Sequence, residues 1–258
     1  MSTRTDTTAP ARARAGSRTA STNGKGKGNS QSTSTGSATG NGTSTGKGNG
    51  RATPVPPNAG DITSNRQAAF TVPGLDPAVG RRLVDLLQER LVALVDLSLT
   101  LKHIHWNVVG PNFIAVHEML DPQYEAVLPM IDDVAERIAT LGGSPSGLPG
   151  RLVASRTWDD YSLDRADSLS HLGALDVVYT GVIEAHRAAI DATEDDDPVS
   201  QDMLIQQAAT LERAQWFVRS HLADWAGGVA NAGATGELEA AQAVATKRHR
   251  PAQGNRAR

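Results

Sequence analysis

The sequence predicts an all-α protein, an antiparallel bundle of four helices with a short extra helix in the long middle connection and a disordered arm at each end. Four stretches of about 25–30 residues place apolar side chains three or four positions apart, the spacing of one helical face. Asp-Pro pairs at 76–77 and 197–198 are typical helix starts, and glycines at 110 and 142–143 are typical helix ends. No alternating pattern of the kind found in strands competes with this prediction.

The first predicted helix runs from about 75 to 108 and carries the longest apolar stripe. His105 lies one turn beyond its last leucine and so continues the buried face. Further valines and leucines cover a second face, which predicts a helix packed on more than one side. The stripe consists of Leu83, Leu87, Leu91, Leu94 and Leu101.

The second helix is predicted over 113–141 and contains two prolines. Pro122 and Pro129 each remove one backbone hydrogen bond and are expected to bend the helix without ending it. The connection 142–164 is long enough for a short helical turn, which we expect around Trp158 and Tyr161.

The last two helices are predicted over about 165–193 and 197–225. The third carries an apolar stripe from Leu169 to Ile190, and the fourth begins at the second Asp-Pro pair and ends before Gly227. We therefore place the bundle at residues 67–228, which leaves arms at both ends of the chain.

The arms differ sharply from the body in composition and charge. Residues 1–66 are mostly Ser, Thr, Gly, Asn and Ala with scattered basic residues, so they have too little apolar surface to order and are expected to be disordered; residues 229–258 are predicted as a flexible basic arm. Residues 1–60 carry a net +7 and residues 241–258 a net +5, which leaves −15 on residues 61–240. This asymmetry predicts a polyanionic partner at the arms and cations at the body.

Other features of composition exclude several classes of protein. The chain has no cysteine, so it can form neither disulfides nor a thiolate metal site. It has no secretory signal and no apolar run near the roughly 20 residues needed to cross a bilayer. A soluble cytoplasmic protein without membrane partners is therefore expected.

Five side chains have the types and spacings of an iron site. His105 ends the first predicted helix, while His117 and Asp121 begin the second, and Asp132 and Glu136 lie further along it. His117 and Asp121, like Asp132 and Glu136, are four residues apart and so project from one helical face. Imidazole and carboxylate suit iron or zinc. Taken singly, a histidine on an apolar stripe is more often a core residue, and the carboxylates would by default face solvent.

The length of the second helix limits how these residues can combine. His117 and Asp132 are fifteen residues apart, or roughly 22 Å at 1.5 Å per residue, whereas ligands of one iron lie about 2 Å from it. One subunit cannot therefore bring both ends of this helix to one metal. Either two half-sites exist, or an antiparallel, twofold-related copy supplies its Asp132 and Glu136. We favour the second arrangement, which predicts two identical sites per dimer.

Three stretches of the sequence carry a family resemblance, namely residues 101–110, 112–121 and 132–138. Together with Trp216-Phe217 near the end of the last helix, they closely resemble the Dps family of mini-ferritins, the DNA-binding proteins from starved cells. The resemblance covers about residues 70–226. The Glu-x-x-His pattern of larger ferritins is absent from the chain. The expected fold is thus a ferritin-like four-helix bundle.

The resemblance also implies an assembly and an activity. It implies a hollow homo-dodecamer whose ferroxidase sites lie at dimer interfaces, with His105, His117 and Asp121 from one subunit and Asp132 and Glu136 from the other. Each such site would bind iron, oxidise Fe(II) with hydrogen peroxide in preference to dioxygen, and feed a ferric oxyhydroxide store that limits oxidative stress. Trp106 would lie beside the iron and take up oxidising equivalents; otherwise it is an ordinary bundle aromatic.

An acidic run precedes the fourth helix and has two interpretations. It can complement the helix dipole in a solvated loop. Alternatively, it can line an iron entry pore on a threefold axis, where like charges from three subunits attract cations. The resemblance places acidic pores in this region, and the candidate residues are Asp196, Asp197 and Asp202.

The arms are candidates for DNA binding, although a solubilising role is the alternative. The acidic body would repel phosphate, so only the arms can make the contacts that release counterions. No recognition helix or zinc finger is evident, which predicts non-specific binding, DNA condensation and a nucleoid location. The candidate residues are Arg12, Arg14, Arg18, Lys25, Lys27, Lys47, Arg51, Lys247, Arg248 and Arg250.

The sequence thus predicts a ferroxidase and iron store that binds and protects DNA through its arms. Two rival functions remain at this point. One is an iron-detoxifying cage without significant DNA binding, and the other is a structural nucleoid protein with little ferroxidase activity.

Overall fold

The computed structural model describes residues 70–249, and this part of the chain is almost entirely helical. The only strands in it are two residues long and pair in parallel. In chain order the elements are α1 (Pro77–Asn107), β1 (Val108–Val109), α2 (Phe113–Thr140), α3 (Pro149–Ser155), β2 (Ala166–Asp167), α4 (Ser168–Thr193), α5 (Pro198–Leu222) and α6 (Glu237–His249).

Aspartate caps begin three of the four long helices. Asp76 accepts a hydrogen bond from the Ala78 N–H at 2.7 Å, and Pro77 occupies the first turn of α1. Asp197 caps α5 in the same way, with Pro198 next to it. Both predicted Asp-Pro helix starts are therefore confirmed. The aspartate side chain accepts hydrogen bonds from free backbone N–H groups of the first turn, and proline fits in this turn because it has no N–H group that needs a partner. Asp167 caps α4, which begins at Ser168, three residues later than the predicted start near 165.

Helix α2 is continuous across both of its prolines. Pro122 and Pro129 lie inside a single helix of 28 residues. The helix ends where Gly142 adopts a φ of 87°, with the Gly143 N–H bonded to the Ile138 carbonyl at 2.8 Å. This is the glycine termination that the sequence predicted.

The core is formed by two antiparallel helix pairs. Helix α1 packs most extensively on α2, and α4 on α5, while contacts across the pairs close the bundle. The leucine stripe of α1 is fully buried from Leu83 to Leu101, and it meets α4 at Leu172 and Leu175 in one continuous apolar cluster. The predicted all-α four-helix bundle is thus confirmed.

The long connection between α2 and α4 is held to the bundle by specific polar contacts. The side-chain amide of Gln88 donates to the Ser146 carbonyl and accepts from the Ser146 N–H, both at 2.9 Å. Further on, the Trp158 indole donates to Asp96 on α1 at 2.8 Å. The connection does contain a short helix, as predicted. We expected this helix around Trp158 and Tyr161, but α3 ends before both residues. Trp158 instead lies at a bend after α3 that is tied to α1.

A sixth helix replaces part of the predicted flexible C-terminal arm. Helix α6 packs on α4 and buries Ala240, Ala241 and Val244. Gly173 makes this packing close, because a Cβ there would lie 2.9 Å from a Val244 methyl and 3.0 Å from the Ala240 carbonyl oxygen. The prediction of a flexible arm over 229–258 is therefore corrected for residues 229–249, whose small apolar side chains find a buried surface.

A buried carboxylate ties the chain before α6 to the bundle. Asp176 on α4 accepts from the Arg219 guanidinium at 2.7 Å and from the side-chain amides of Gln215 and Asn231 at 2.9 Å each. Since Asn231 belongs to the segment between α5 and α6, this network joins three parts of the chain. A buried charge is tolerated when it is paired and fully hydrogen-bonded, as here.

All of the predicted N-terminal arm and the end of the predicted C-terminal arm fall outside the described residues. Residues 1–69 and 250–258 are not described, so the N-terminal arm over 1–66, with its seven candidate DNA-binding residues, and Arg250 remain predictions. Among the described helices, none combines the length and the apolar character that a membrane span requires.

Candidate ferroxidase half-site

A tight turn between α1 and α2 brings the two predicted histidine ligands together. Gly110 has a φ of 85° and Asn112 a φ of 65°, a left-handed conformation that glycine and asparagine tolerate. The Ser168 hydroxyl donates to the Pro111 carbonyl at 2.9 Å, which holds the turn against the start of α4. The turn therefore reverses the chain within five residues and places the end of α1 beside the start of α2.

The imidazoles of His105 and His117 stack on each other. Their ring centroids are 3.6 Å apart and their planes differ by 24°. Each Nδ1 lies near the backbone carbonyl of the other histidine, at 3.0 Å for His105 and 2.9 Å for His117. The pair is therefore fixed by two reciprocal hydrogen bonds, and Phe113 lies next to the His117 ring at 5.0 Å between centroids.

These hydrogen bonds determine the tautomer of both rings. A carbonyl oxygen can only accept, so each Nδ1 must carry the proton and donate it. In a neutral imidazole the lone pair is then on Nε2, the nitrogen available for a metal ion. Fixing a ligand histidine through its other nitrogen is the usual way that proteins orient such a ring. His105 and His117 thus fit the ligand role predicted for them.

Asp121 lies beside the histidine pair and is held by a lysine. Its Oδ1 is 3.2 Å from the His105 Nδ1 and 2.6 Å from the Lys102 ammonium. The hydrogen bond from Lys102, with the nearby histidines, lowers the pKa of the Asp121 carboxyl below its ordinary value. The carboxylate is therefore ionised at neutral pH, as a metal ligand must be. Lys102 also lies 4.9 Å from the centre of the Tyr124 ring.

The remaining predicted site residues lie elsewhere on the surface of the same copy. Asp132 and Glu136 are exposed and follow Asp121 by eleven and fifteen residues along the unbroken α2. Trp106 is 73% exposed at the end of α1. Within residues 70–249 of one copy, no three His, Asp or Glu side chains are placed together to hold a metal ion.

Sequence reasoning missed Lys102 and the reciprocal carbonyl contacts. The position of Lys102, one helical turn before His105, was available as a signal, but its pairing with Asp121 depends on how α1 and α2 pack. The contacts between each ring and the opposite backbone could not be inferred at all, because they require the left-handed turn at Asn112.

The predicted pore residues have different environments. Asp197 is 5% exposed, accepts from Arg137 and from the Ser200 hydroxyl at 2.5 Å each, and caps α5. Burial raises its pKa, but the hydrogen bonds from Ser200 and Arg137 outweigh burial and the net pKa is lowered. The predicted pore role of Asp197 is therefore corrected to a structural one. Asp196 is paired with Arg82 at 2.9 Å, whereas Asp202 is exposed.

Of the candidate DNA-binding residues, Lys247 and Arg248 lie within α6. Lys247 is exposed, and its ammonium donates to the Val229 carbonyl at 3.0 Å. Two of the three C-terminal basic residues are thus carried by a helix that packs on the body, rather than by a free arm.

Comparison with known proteins agrees with this fold. A family model described as a ferritin-like domain matches residues 84–227. The DNA protection during starvation protein of Mycolicibacterium smegmatis is 54% identical over 179 residues, covering 69% of this chain and 98% of that protein. Among solved structures, Mycobacterium smegmatis Dps has a TM-score of 0.64 at 55% identity, covering 65% of this chain and 96% of that one. DpsA14 from Streptomyces coelicolor has a TM-score of 0.63 at 57% identity, covering 65% and 99%. The chain therefore belongs to the Dps family of ferritin-like proteins.

Proposed function

We propose that this protein is a ferroxidase and iron store whose sites are shared between two subunits. The observation that carries the proposal is the stacked histidine pair, in which both Nδ1 atoms are occupied by carbonyls and both Nε2 atoms are left for a metal. Asp121 adds an ionised carboxylate one helical turn after His117, with its Oδ1 on the Nδ1 side of His105 in a single copy, so it would turn towards Nε2 to share a metal. Histidine and carboxylate ligands together suit iron in both oxidation states.

The remaining ligands would come from the partner subunit. Continuous α2 separates His117 from Asp132 by fifteen residues, or roughly 22 Å, which excludes their meeting at one iron in one copy. An antiparallel α2 of a twofold-related copy brings Asp132 of the partner subunit level with Asp121, and Glu136 of the partner subunit level with His117. Each dimer then has two identical sites, and twelve subunits would form the homo-dodecameric cage.

Each residue would have a distinct part in oxidising ferrous iron, the substrate. The histidines bind through Nε2, and the carboxylates favour the ferric product because it carries the higher charge. One hydrogen peroxide accepts two electrons, whereas each ferrous ion gives up one, so two ferrous ions are consumed per peroxide. Hydrolysis of the ferric ions then yields ferric oxyhydroxide and releases protons. Lys102 holds Asp121 in position before iron arrives.

The activity is tested by following ferrous oxidation anaerobically with added peroxide, and separately with dioxygen. The unaltered protein should oxidise iron faster with peroxide and retain the product in a high-molecular-weight form. His105→Ala should lose most of this activity, since it removes one Nε2 ligand. The matched control is His221→Ala, an exposed histidine on α5. Equal rates for the two variants would contradict the proposed site.

We further propose that basic residues at both ends of the chain bind DNA without sequence preference. Residues 61–240 carry a net −15, so phosphate contacts must come from the +7 and +5 segments that flank them. The name of the M. smegmatis relative supports this proposal. A gel shift with unrelated duplexes at two salt concentrations tests it: affinity should be similar between sequences and fall steeply with salt. An equal affinity at both salt concentrations would contradict it.

Iron is proposed to enter past Asp202 rather than Asp197. Asp202 is exposed, whereas Asp197 is buried and paired. Asp202→Asn should slow iron uptake without changing the affinity of the half-site, because it removes only charge that attracts cations. If uptake is unchanged at low ionic strength, entry is elsewhere.

A further inference from the structure

We propose that a groove between α1 and α4 binds an extended, proline-rich peptide that carries a basic residue. The groove is a cavity of about 620 Å³ that is also lined by the segment 157–162 and by residues 235–237. A volume of this size is typical of ligand sites. It does not include the histidine half-site, and the proposal is independent of iron oxidation.

The floor of the groove is an open strip of α4. Val178, Gly181, Val182 and Ala185 line it, and all are only partly covered by the rest of the described chain. Glycine inside a helix is destabilising relative to alanine. A Cβ at Gly181 would meet nothing within 4 Å, so packing within the described chain does not require glycine here. A glycine at an open position allows another backbone to approach closely.

Aromatic side chains form one wall. Trp158 is 42% exposed, yet its indole N–H is fixed by Asp96 at 2.8 Å, so the ring is both available and held in place. Tyr161 lies next along the same segment and donates towards His171 at 3.1 Å. Proteins recognise polyproline II segments with rigid aromatic rings that lie beside an apolar surface. The proline rings of the segment pack on these aromatic rings without a loss of side-chain entropy.

A buried arginine supplies an unused hydrogen-bond donor. The Arg90 side chain is 10% exposed and lines the cavity, and its one ion-pair contact, with Glu89, is at 3.8 Å. Its Nη1 has no hydrogen-bond partner. A buried unpaired donor is costly and calls for an acceptor. The backbone carbonyls of a polyproline II peptide are free acceptors, because this helix makes no internal hydrogen bonds.

The rim selects the charge of the ligand. Asp159, Asp160 and Glu237 all line the opening, and Asp159 and Asp160 are exposed. Arg156 pairs with Asp160 but leaves the rim with an acidic balance. A lysine or arginine of the peptide is therefore favoured there, and DNA is disfavoured.

The probe follows from this chemistry. The sequence Arg51-Ala52-Thr53-Pro54-Val55-Pro56-Pro57 has one basic residue followed by three prolines. A fluorescently labelled synthetic peptide of residues 47–60 is titrated with a full-length protein in which Pro54, Pro56 and Pro57 are replaced by alanine, so that the chain's own segment does not compete, and binding is measured by anisotropy. Saturable binding is expected. A peptide with Arg51→Glu should bind at least fivefold more weakly, and one with all three prolines replaced by alanine at least tenfold more weakly.

Variants of the protein locate the binding. Gly181→Leu fills the floor where the fold has room for a side chain, and should weaken binding at least tenfold. Gly150→Leu is the matched control, because Gly150 lies in the short helix α3, has equally open space and is outside the groove. Arg90→Met should also weaken binding while circular dichroism stays unchanged. No saturable binding by the protein with the proline replacements and an unaltered groove, or equal affinity when Gly181→Leu and Gly150→Leu are added to it, would overturn the proposal.

Discussion

Mild acid should weaken the bundle through His186, which is completely buried on α4. Burial, together with the positive charge of Arg90, lowers the pKa of His186 from 6.5 to about 4. Because the folded pKa lies below the unfolded one, the unfolded chain takes up the proton first. The contribution to stability is therefore complete above pH 6.5 and is lost as the pH falls towards 4. The loss is about 1.4 kcal/mol per pH unit, or about 2 kcal/mol between pH 6.5 and pH 5.

The assay is urea unfolding at pH 7 and pH 5, at one fixed protein concentration because the proposed assembly would contribute to stability. Replacing His186 by leucine puts an apolar side chain of similar size in the same place and removes the group that takes up the proton. Between pH 7 and pH 5, the free energy of unfolding should fall by about 2 kcal/mol more in the unaltered protein than in His186→Leu. The exposed His221→Leu should behave like the unaltered protein. If His186→Leu shows the same pH dependence as the unaltered protein, the buried neutral histidine is not responsible and the reasoning is wrong.

Three further predictions concern the C-terminal part of the chain. Gly173→Leu should release α6 from α4, because a side chain at position 173 has no room against α6. Limited proteolysis should then cut residues 237–249 while the bundle survives. In Gly150→Leu, these residues should resist the protease as they do in the unaltered protein. Asp176→Ala should lower the free energy of unfolding by about 3 kcal/mol, since three donors lose their acceptor, whereas Glu212→Ala, which removes the half-exposed partner of Arg187, should cost less than about 1 kcal/mol in the same denaturant titration. Three basic residues near the C-terminus, Lys247, Arg248 and Arg250, are exchanged for glutamine. The slope of log DNA affinity against log salt concentration should become shallower by about 0.9 for each phosphate contact that is lost. An unchanged slope would exclude these residues from DNA binding.

The helices were predictable because their signals are local. Apolar spacing, the caps at Asp76 and Asp197 and the glycine at 142 act within one or two turns, so the sequence alone indicates them. Helix α6 was missed because its apolar residues are mostly alanines, which have little periodic signal. They become a buried face only because Gly173, about seventy residues earlier, lets α6 approach α4 closely. Charge in the last turns of α6 made the segment look like a free arm.

The candidate site was predictable in its residue types but not in its geometry. The spacing of His117 and Asp121 indicates one face of a helix, and the length of α2 limits which ligands can share a metal. The stacking of the two imidazoles depends on the turn at Asn112, and the environment of Asp197 depends on its contact with Arg137 on another helix. Contacts between distant residues of this kind have no signature in a single sequence.

The claim that iron sites are shared between subunits is tested most directly by mixing two inactive proteins. One carries His117→Ala, and the other carries Asp132→Ala with Glu136→Ala. In a mixed dimer both defects fall on one site, so the other site has a complete set of ligands. Random reassembly of equal amounts should then restore about a quarter of the unaltered ferroxidase activity, since half of the dimers are mixed. If mass measurements show mixed assemblies while activity stays at the level of the separate variants, the ligands are not shared between subunits.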